Sequence, residues 1–192
     1  MASCFAAPLM IATAAEEGAS PGLVAHISSF GGLTYTFNVA YGVGKCGVDR
    51  LANDMAVELE EHRVAVVSMW PGIVRTEKMA RLIDLGIWDE MVGTPITASE
   101  SPTLTGRAIA ALAGDRGVMS RTGKVQVVAE LAKEYGFTDI DGQTPPSIRS
   151  LRFCLPAYVF PKVLPAGTEV PLSWVPDWLI PFDYMRNSRQ PE

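Results

Sequence analysis

The chain has 192 residues, 48% of them hydrophobic and 19% charged, and a net charge of −5. That is enough for one domain with a real core, and it lacks the basic face that a nucleic-acid partner requires. Three scattered cysteines (Cys4, Cys46, Cys154) and two histidines (His26, His62) exclude a disulfide framework, a zinc spacing and a histidine-based triad, and they favour a reducing compartment.

Residues 2–15 are small and apolar, which predicts a buried helix. Ala12-Thr13-Ala14 resembles a signal-peptidase site, but the first basic residue is Lys45, so the positive region that opens a signal or transit peptide is lacking. No run reaches the roughly 18 apolar residues of a membrane span. Glu16-Glu17-Gly18 and Ser20-Pro21-Gly22 stop the helix and turn the chain. Leu23 to Ile27 reads as a strand ending at Ser28-Ser29, followed by a loop at Gly31-Gly32. Asn38 is the expected N-cap of a helix in which Tyr41, Lys45, Val48, Leu51, Ala52, Met55, Ala56 and Leu59 recur at helical spacing. It should end near Glu60 to Arg63. Val64 to Met69 reads as a second strand, closed by Pro71-Gly72. Both strands are continuous apolar runs, as in a parallel sheet covered on both faces. Strand, helix, strand is the order of a right-handed crossover. Ligands of such sheets bind beyond the carboxyl ends of the strands, where Ser29 and Pro71-Gly72 both fall.

A short helix is expected over Glu77 to Leu85, then an irregular excursion through Gly93-Thr94-Pro95 that reads as a substrate lid. Ser101-Pro102 is a cap and first-turn pair for a helix to Ala113. Lys124 to Val128 is a third strand, followed by a turn of helix to Tyr135. Nine of the fourteen prolines lie between Pro145 and Pro191. The expected organisation is a domain over 1–143 and a proline- and aromatic-rich extension over 144–192 without long regular elements. Its aromatic residues suit a membrane interface, a pocket cover or a partner; its basic residues (Arg149, Arg152, Lys162, Arg186, Arg189) are dispersed.

Residues four apart share a helix face, so the Tyr41 phenol and the Lys45 ammonium occupy one patch. A phenol ordinarily ionises near pH 10. A cation within about 4–6 Å favours phenolate, and a nearby serine hydroxyl can polarise a reacting oxygen. Each residue has a plainer alternative: Ser28 and Ser29 ending a strand, Tyr41 in the core, Lys45 in solvent, Thr76 capping a helix, Cys46 as a small packed side chain. Gly42, Gly44 and Gly47 each cost about 1 kcal/mol against alanine inside a helix, which implies close approach of another backbone or a cofactor.

Ile27-Ser28-Ser29-Phe30-Gly31-Gly32, Tyr41-Gly42-Val43-Gly44-Lys45 and Pro71-Gly72-Ile73-Val74-Arg75-Thr76 together resemble the short-chain dehydrogenase/reductase family, over residues 2–143. The resemblance implies an α/β fold, the second half of a Rossmann-like doubly wound parallel sheet, and oxidoreductase chemistry with NAD(P)(H) as the hydride carrier. It makes Tyr41 the general acid/base. Lys45 would favour the phenolate and hold the nicotinamide ribose. Ser29, twelve residues before Tyr41, would polarise the substrate carbonyl, with Ser28 as the alternative. Pro71, Gly72 and Ile73 would border the nicotinamide, and Thr76 would contact its carboxamide or the phosphates. The substrate would be a small carbonyl or alcohol, a steroid or xenobiotic by analogy.

The family's opening strand, its glycine-rich pyrophosphate turn and its catalytic asparagine have no counterpart in these residues. The expectation is therefore the catalytic half of an enzyme that, alone, binds NAD(P)H weakly or not at all and is inactive. Its Ser-bearing strand becomes a bare apolar edge. The second expectation is a catalytically silent half-domain acting as a homo-oligomer, by pairing with a full-length relative, or at a membrane surface. A family member associated with the endoplasmic reticulum adds that membrane to the cytoplasm as an expected location.

Overall fold

Seven consecutive residues, Val64–Trp70, form one strand, and all seven side chains are buried. The sequence provides no polar face there because the sheet offers none to water. In the computed structural model the described residues are 2–88, 92, 94–165, 168 and 170–185; the expectations that touch Gly93, Arg186 and Arg189 lie outside them. In chain order the elements that position the site are α1 (Ala2–Ala14), β1 (Gly22–Ile27), α2 (Val39–Leu59), β2 (Val64–Trp70), β3 (Ile73–Val74), α3 (Glu77–Asp84), β4 (Ser99–Glu100) and β5 (Val125–Val127). The chain falls into two compact units. One holds the residues up to Trp70 together with Gly106–Gln126; the other holds Pro71–Thr105 and the described residues from Val127 onward.

In the first unit β1 lies parallel to β2, with Gly22 opposite Val64 and Ile27 opposite Met69. The sheet order is β1-β2-β5, so β1 is an edge strand among the described residues. The crossover helix α2 starts where Asn38 caps it, Oδ1 accepting the Tyr41 N–H at 2.9 Å. It continues as a 3-10 turn over Glu60–His62. Its sheet face is made by Ala52 and Ala56 against Val66, flanked by Val24, Met55 and Leu59. Small residues bring the helix close to the sheet, and Leu51, expected in the stripe, is left exposed instead.

The expectation of a buried α1 is corrected. Only Ala14 is buried, and Phe5 is 76% exposed. An evenly apolar helix with Pro8 inside it has no stripe to turn inward. Its end is held from a distance. Arg63 sits in the left-handed region (φ 56) and donates to the carbonyls of Ala14 (3.0 Å) and Ala19 (2.7 Å). Its own carbonyl accepts from the Gly22 N–H at 3.0 Å, at the start of β1.

In the second unit β3 pairs in parallel with β4, Ile73 opposite Ser99 and Val74 opposite Glu100. Between them Trp88 is buried and its Nε1 donates to the Thr94 carbonyl at 2.7 Å. The proline-rich segment also departs from expectation. Leu151–Cys154, a π turn over Leu155–Val159, and Phe160–Val163 form one continuous helical stretch. Proline cannot donate the regular i→i−4 bond, and the wider π turn lets the helix pass Pro156 without it. Ser150 caps the stretch, its Oγ accepting from the Phe153 N–H. Upstream, Glu130 of the helix Val128–Tyr135 receives a two-pronged bond from Arg149, at 2.9 and 2.6 Å, and a third from the Ser147 hydroxyl at 2.6 Å. Arg149 further stacks on Phe182, 4.0 Å from the ring centroid.

Candidate active site

The carboxyl end of β1 runs directly into Ser28 and Ser29, and the first two turns of α2 pack beside them. Asn38 fixes the phase of that helix, so Tyr41 and Lys45 lie one above the other. The Lys45 ammonium sits 5.7 Å from the Tyr41 ring centroid and donates to the Ile27 carbonyl at 3.3 Å. The two serines differ in how they are engaged. Ser28 Oγ donates to the Lys45 carbonyl at 3.0 Å, locking strand end to helix. Ser29 Oγ accepts the Gly31 N–H at 3.2 Å, capping a single 3-10 turn over Phe30–Gly32; its hydroxyl hydrogen has no acceptor among the described residues. The Phe37 ring meets Tyr41 edge-on at 5.0 Å.

The glycines that crowding requires are in the loop. A Cβ on Gly31 would come within 2.6 Å of the Tyr41 ring, and one on Gly32 within 2.8 Å of Asp49 Oδ2 and 2.9 Å of the Cys46 nitrogen. Of the helix glycines, Gly42 would place a Cβ 3.4 Å from the Gly31 carbonyl oxygen, a close approach of another backbone, while Gly44 and Gly47 have no protein atom within 4 Å; Cys46 is exposed rather than packed.

One residue of the site escaped the sequence reading. Asp49 continues the Tyr41, Lys45 stripe by one more turn, and its Oδ1 accepts from the Ser68 hydroxyl (2.5 Å) and the Trp70 indole N–H (3.0 Å). Both donors belong to buried residues of β2, so Asp49 pins α2 to the strand. Its signal was the i, i+4, i+8 spacing, but an aspartate at such a position ordinarily reads as solvated. Asp49→Ala removes the shared acceptor of two buried donors, and a loss of about 1–3 kcal/mol in denaturant unfolding is expected. A loss below about 0.5 kcal/mol would show that the two donors find other acceptors without cost.

Pro71, Gly72, Ile73 and Thr76 belong to the second unit. Gly72 N–H donates to Glu100 Oε2 at 3.1 Å. Thr76 is the N-cap of α3, its Oγ1 accepting from the Met79 N–H at 3.4 Å. Arg75 anchors the turn, donating to the Ser99 carbonyl (2.8 Å), the Ser99 hydroxyl (3.0 Å) and Asp141 (3.1 Å). Burial alone would raise the Asp139 carboxyl. The Ser101 hydroxyl and amide, the Ile140 amide and the Arg75 charge outweigh it and hold that carboxyl below the usual range. Glu100 goes the other way: burial pushes it up to about 7 against the bonds from Gly72 and Thr105.

The short chain dehydrogenase family profile matches residues 2–84. "Dehydrogenase/reductase SDR family member 1" of Mus musculus is 40% identical over 142 residues, which are 71% of this chain and 45% of that protein. The chain thus spans less than half the length of this relative. Two solved structures share the fold: "4-hydroxyisoleucine dehydrogenase complexed with NADH" (TM-score 0.55, 22% identity, 66% of this chain and 51% of that one), and "ElxO with NADP Bound" (TM-score 0.53, 24% identity, 66% and 50%). The parallel β1-β2-β5 sheet with its crossover helix is part of a Rossmann-like α/β fold, and the chain belongs to the short-chain dehydrogenase/reductase family.

Proposed function

We propose that the chain carries the proton-handling side of an NAD(P)-dependent oxidoreductase acting on a carbonyl or alcohol. The observation that carries the reading is the Tyr41–Lys45 pair beside a serine whose hydroxyl hydrogen is uncommitted. Tyr41 gives its proton to the substrate oxygen on reduction and takes it back on oxidation. Ser29 donates to the same oxygen, stabilising the charge that develops there, while Ser28 holds the helix. The cofactor, when bound, supplies or accepts the hydride. An ammonium has three donors, and among the described residues Lys45 Nζ is engaged by one acceptor, Ile27 O. The remaining donors fit a sugar hydroxyl of the nicotinamide riboside. In the same reading Pro71, Gly72 and Ile73 border the nicotinamide, and Thr76 keeps its hydroxyl hydrogen for the carboxamide. Residues 1–143 are then the second half of a Rossmann-type domain and 144–192 its extension, and the substrate is a small molecule such as a steroid or xenobiotic.

No glycine-rich strand-to-helix turn that would cradle a pyrophosphate occurs in the 192 residues. Titration of the purified polypeptide with NADPH is expected not to saturate in the low-micromolar range; saturation there would overturn the expectation. The function itself is tested on the transcript. A glycine-rich βαβ segment in frame before Met1 makes an active reductase, in which Tyr41→Phe lowers turnover about 10²–10⁴-fold while NADPH still binds. A transcript without that segment favours the second reading.

That second reading is association without catalysis, at a membrane surface such as the endoplasmic reticulum or through the β1 edge with a second copy or a full-length relative. Its specific support is the exposure of Trp174 (79%), Trp178 (71%) and Tyr184 (80%), amphipathic rings of the kind that sit at membrane interfaces. Among the described residues no helix is long and apolar enough to cross a membrane. Co-sedimentation with anionic vesicles that is lost in Trp174→Ser/Trp178→Ser supports the membrane form; no co-sedimentation of the unmodified chain rejects it.

A further inference from the structure

Glu100 brackets the turn that opens the second unit. Its carbonyl accepts the Arg75 N–H at 2.7 Å, and its carboxylate accepts the Gly72 N–H through Oε2 at 3.1 Å and the Thr105 hydroxyl through Oε1 at 3.4 Å. The residue is 1% exposed, a rare position for a carboxylate without a cation. Glu100 makes no ion pair among the described residues. Two charged groups face it. Arg75 is committed to Ser99 and Asp141 and lies 3.6 Å from Asp139. Asp139 is taken up by the Ser101 N–H (2.6 Å), the Ser101 hydroxyl (2.5 Å) and the Ile140 N–H (2.7 Å). Desolvation favours the neutral acid, and Asp139 adds to that; the Gly72 and Thr105 bonds and Arg75 favour the anion. The balance falls at about 7, so both forms are populated near neutrality.

The two forms do not hold the turn equally. A hydrogen bond to an ionised acceptor is roughly twice as strong as one to a neutral acceptor. We propose that Glu100 is a positioning residue whose carboxylate clamps the Gly72 amide when ionised and slackens it when protonated, so that the Pro71–Thr76 turn is firm in mild alkali and loose in mild acid. Its backbone bond to Arg75 does not titrate, so the change is confined to the Pro71-Gly72 side of the turn. The consequence for a cofactor rests on the reading of Pro71–Ile73 as the border of the nicotinamide: binding would strengthen as pH rises through neutrality.

The test follows the amide of Gly72 in the ¹⁵N-labelled chain from about pH 5.5 to 8.5, around the balance point that burial sets. Its proton resonance is expected to move downfield with one midpoint near 7, and to stay flat in Glu100→Gln. In Thr105→Val, which loses a donor to the anion, the midpoint moves to higher pH; this variant serves if Glu100→Gln fails to fold. A flat Gly72 in the unmodified chain, the same titration in Glu100→Gln, or an unmoved midpoint in Thr105→Val overturns the proposal. The cofactor reading is judged separately by adding NADH. A titrating Gly72 with no response of Gly72 or Ile73 to NADH removes that reading and leaves the positioning role standing.

Discussion

Glu130→Ala lowers the unfolding free energy by about 3 kcal/mol, at the low end of what breaking a buried ion pair costs. The side chains of Arg149 and Glu130 are 13% and 26% exposed, and the pair is bidentate, the geometry in which an arginine–carboxylate bond is strongest. Removing the carboxylate strands the guanidinium in a site screened from water. The loss stops at that value because Arg149 keeps the Ile180 carbonyl (3.2 Å) and the Phe182 face. Urea unfolding followed by tryptophan fluorescence measures the change. Glu130→Gln, which keeps acceptors for Ser147 and one arginine nitrogen, is expected to lose less. A midpoint unchanged in Glu130→Ala would mean that the 147–182 segment is held by packing alone.

Glu100 contributes a fall in stability as pH rises from about 4.5 to about 7, while His26, whose imidazole burial holds below its ordinary value, contributes in the opposite sense. Unfolded, the Glu100 carboxyl ionises at the ordinary 4.5; folded, burial holds it at about 7. Between those values this carboxyl binds more protons in the native state than in the unfolded one, so its share of the unfolding free energy declines with pH. The decline amounts to about 3 kcal/mol across the window and is complete above it. Asp139 works in the opposite sense at lower pH. Its carboxyl is depressed, so its contribution is full above the ordinary aspartate range and is lost only as pH falls through the folded value. Denaturant midpoints at several pH values, with Glu100→Gln beside the unmodified chain, separate the two. The variant should lack the decline between 4.5 and 7; parallel profiles would assign it to other groups.

Much of the first unit was legible because its signals are local. The run Val64–Trp70 has one explanation once both faces of the sheet are covered, and Tyr41, Lys45, Ala52 and Ala56 carry their face in their spacing. Ser28 and Ser29 could be placed at the end of β1, but their different partners, the Lys45 carbonyl for Ser28 and the Gly31 amide for Ser29, could not be read from spacing. What was not legible depends on residues far apart. β3 and β4 are two residues each, too short for any periodicity, and exist because Arg75 and Glu100 bond across twenty-five positions. Glu100 looks like a surface residue before a helix until Gly72 is set against it. The helix over Leu151–Val163 was hidden by Pro156 and Pro161, since a π turn leaves no mark in composition. The burial of α1 was misjudged because apolar composition was taken for an inward face, although the residues have no phase.

Arg63 carries a consequence for the order in which the chain assembles. A thirteen-residue helix is marginal in isolation, and α1 also contains Pro8 and exposes Phe5 and Leu9. The cap on its last turn comes from a residue forty-nine positions onward, in the left-handed link between α2 and β2. The cap on the end of α1 therefore forms only once the α2–β2 link has folded, and α1 is an element that this link completes.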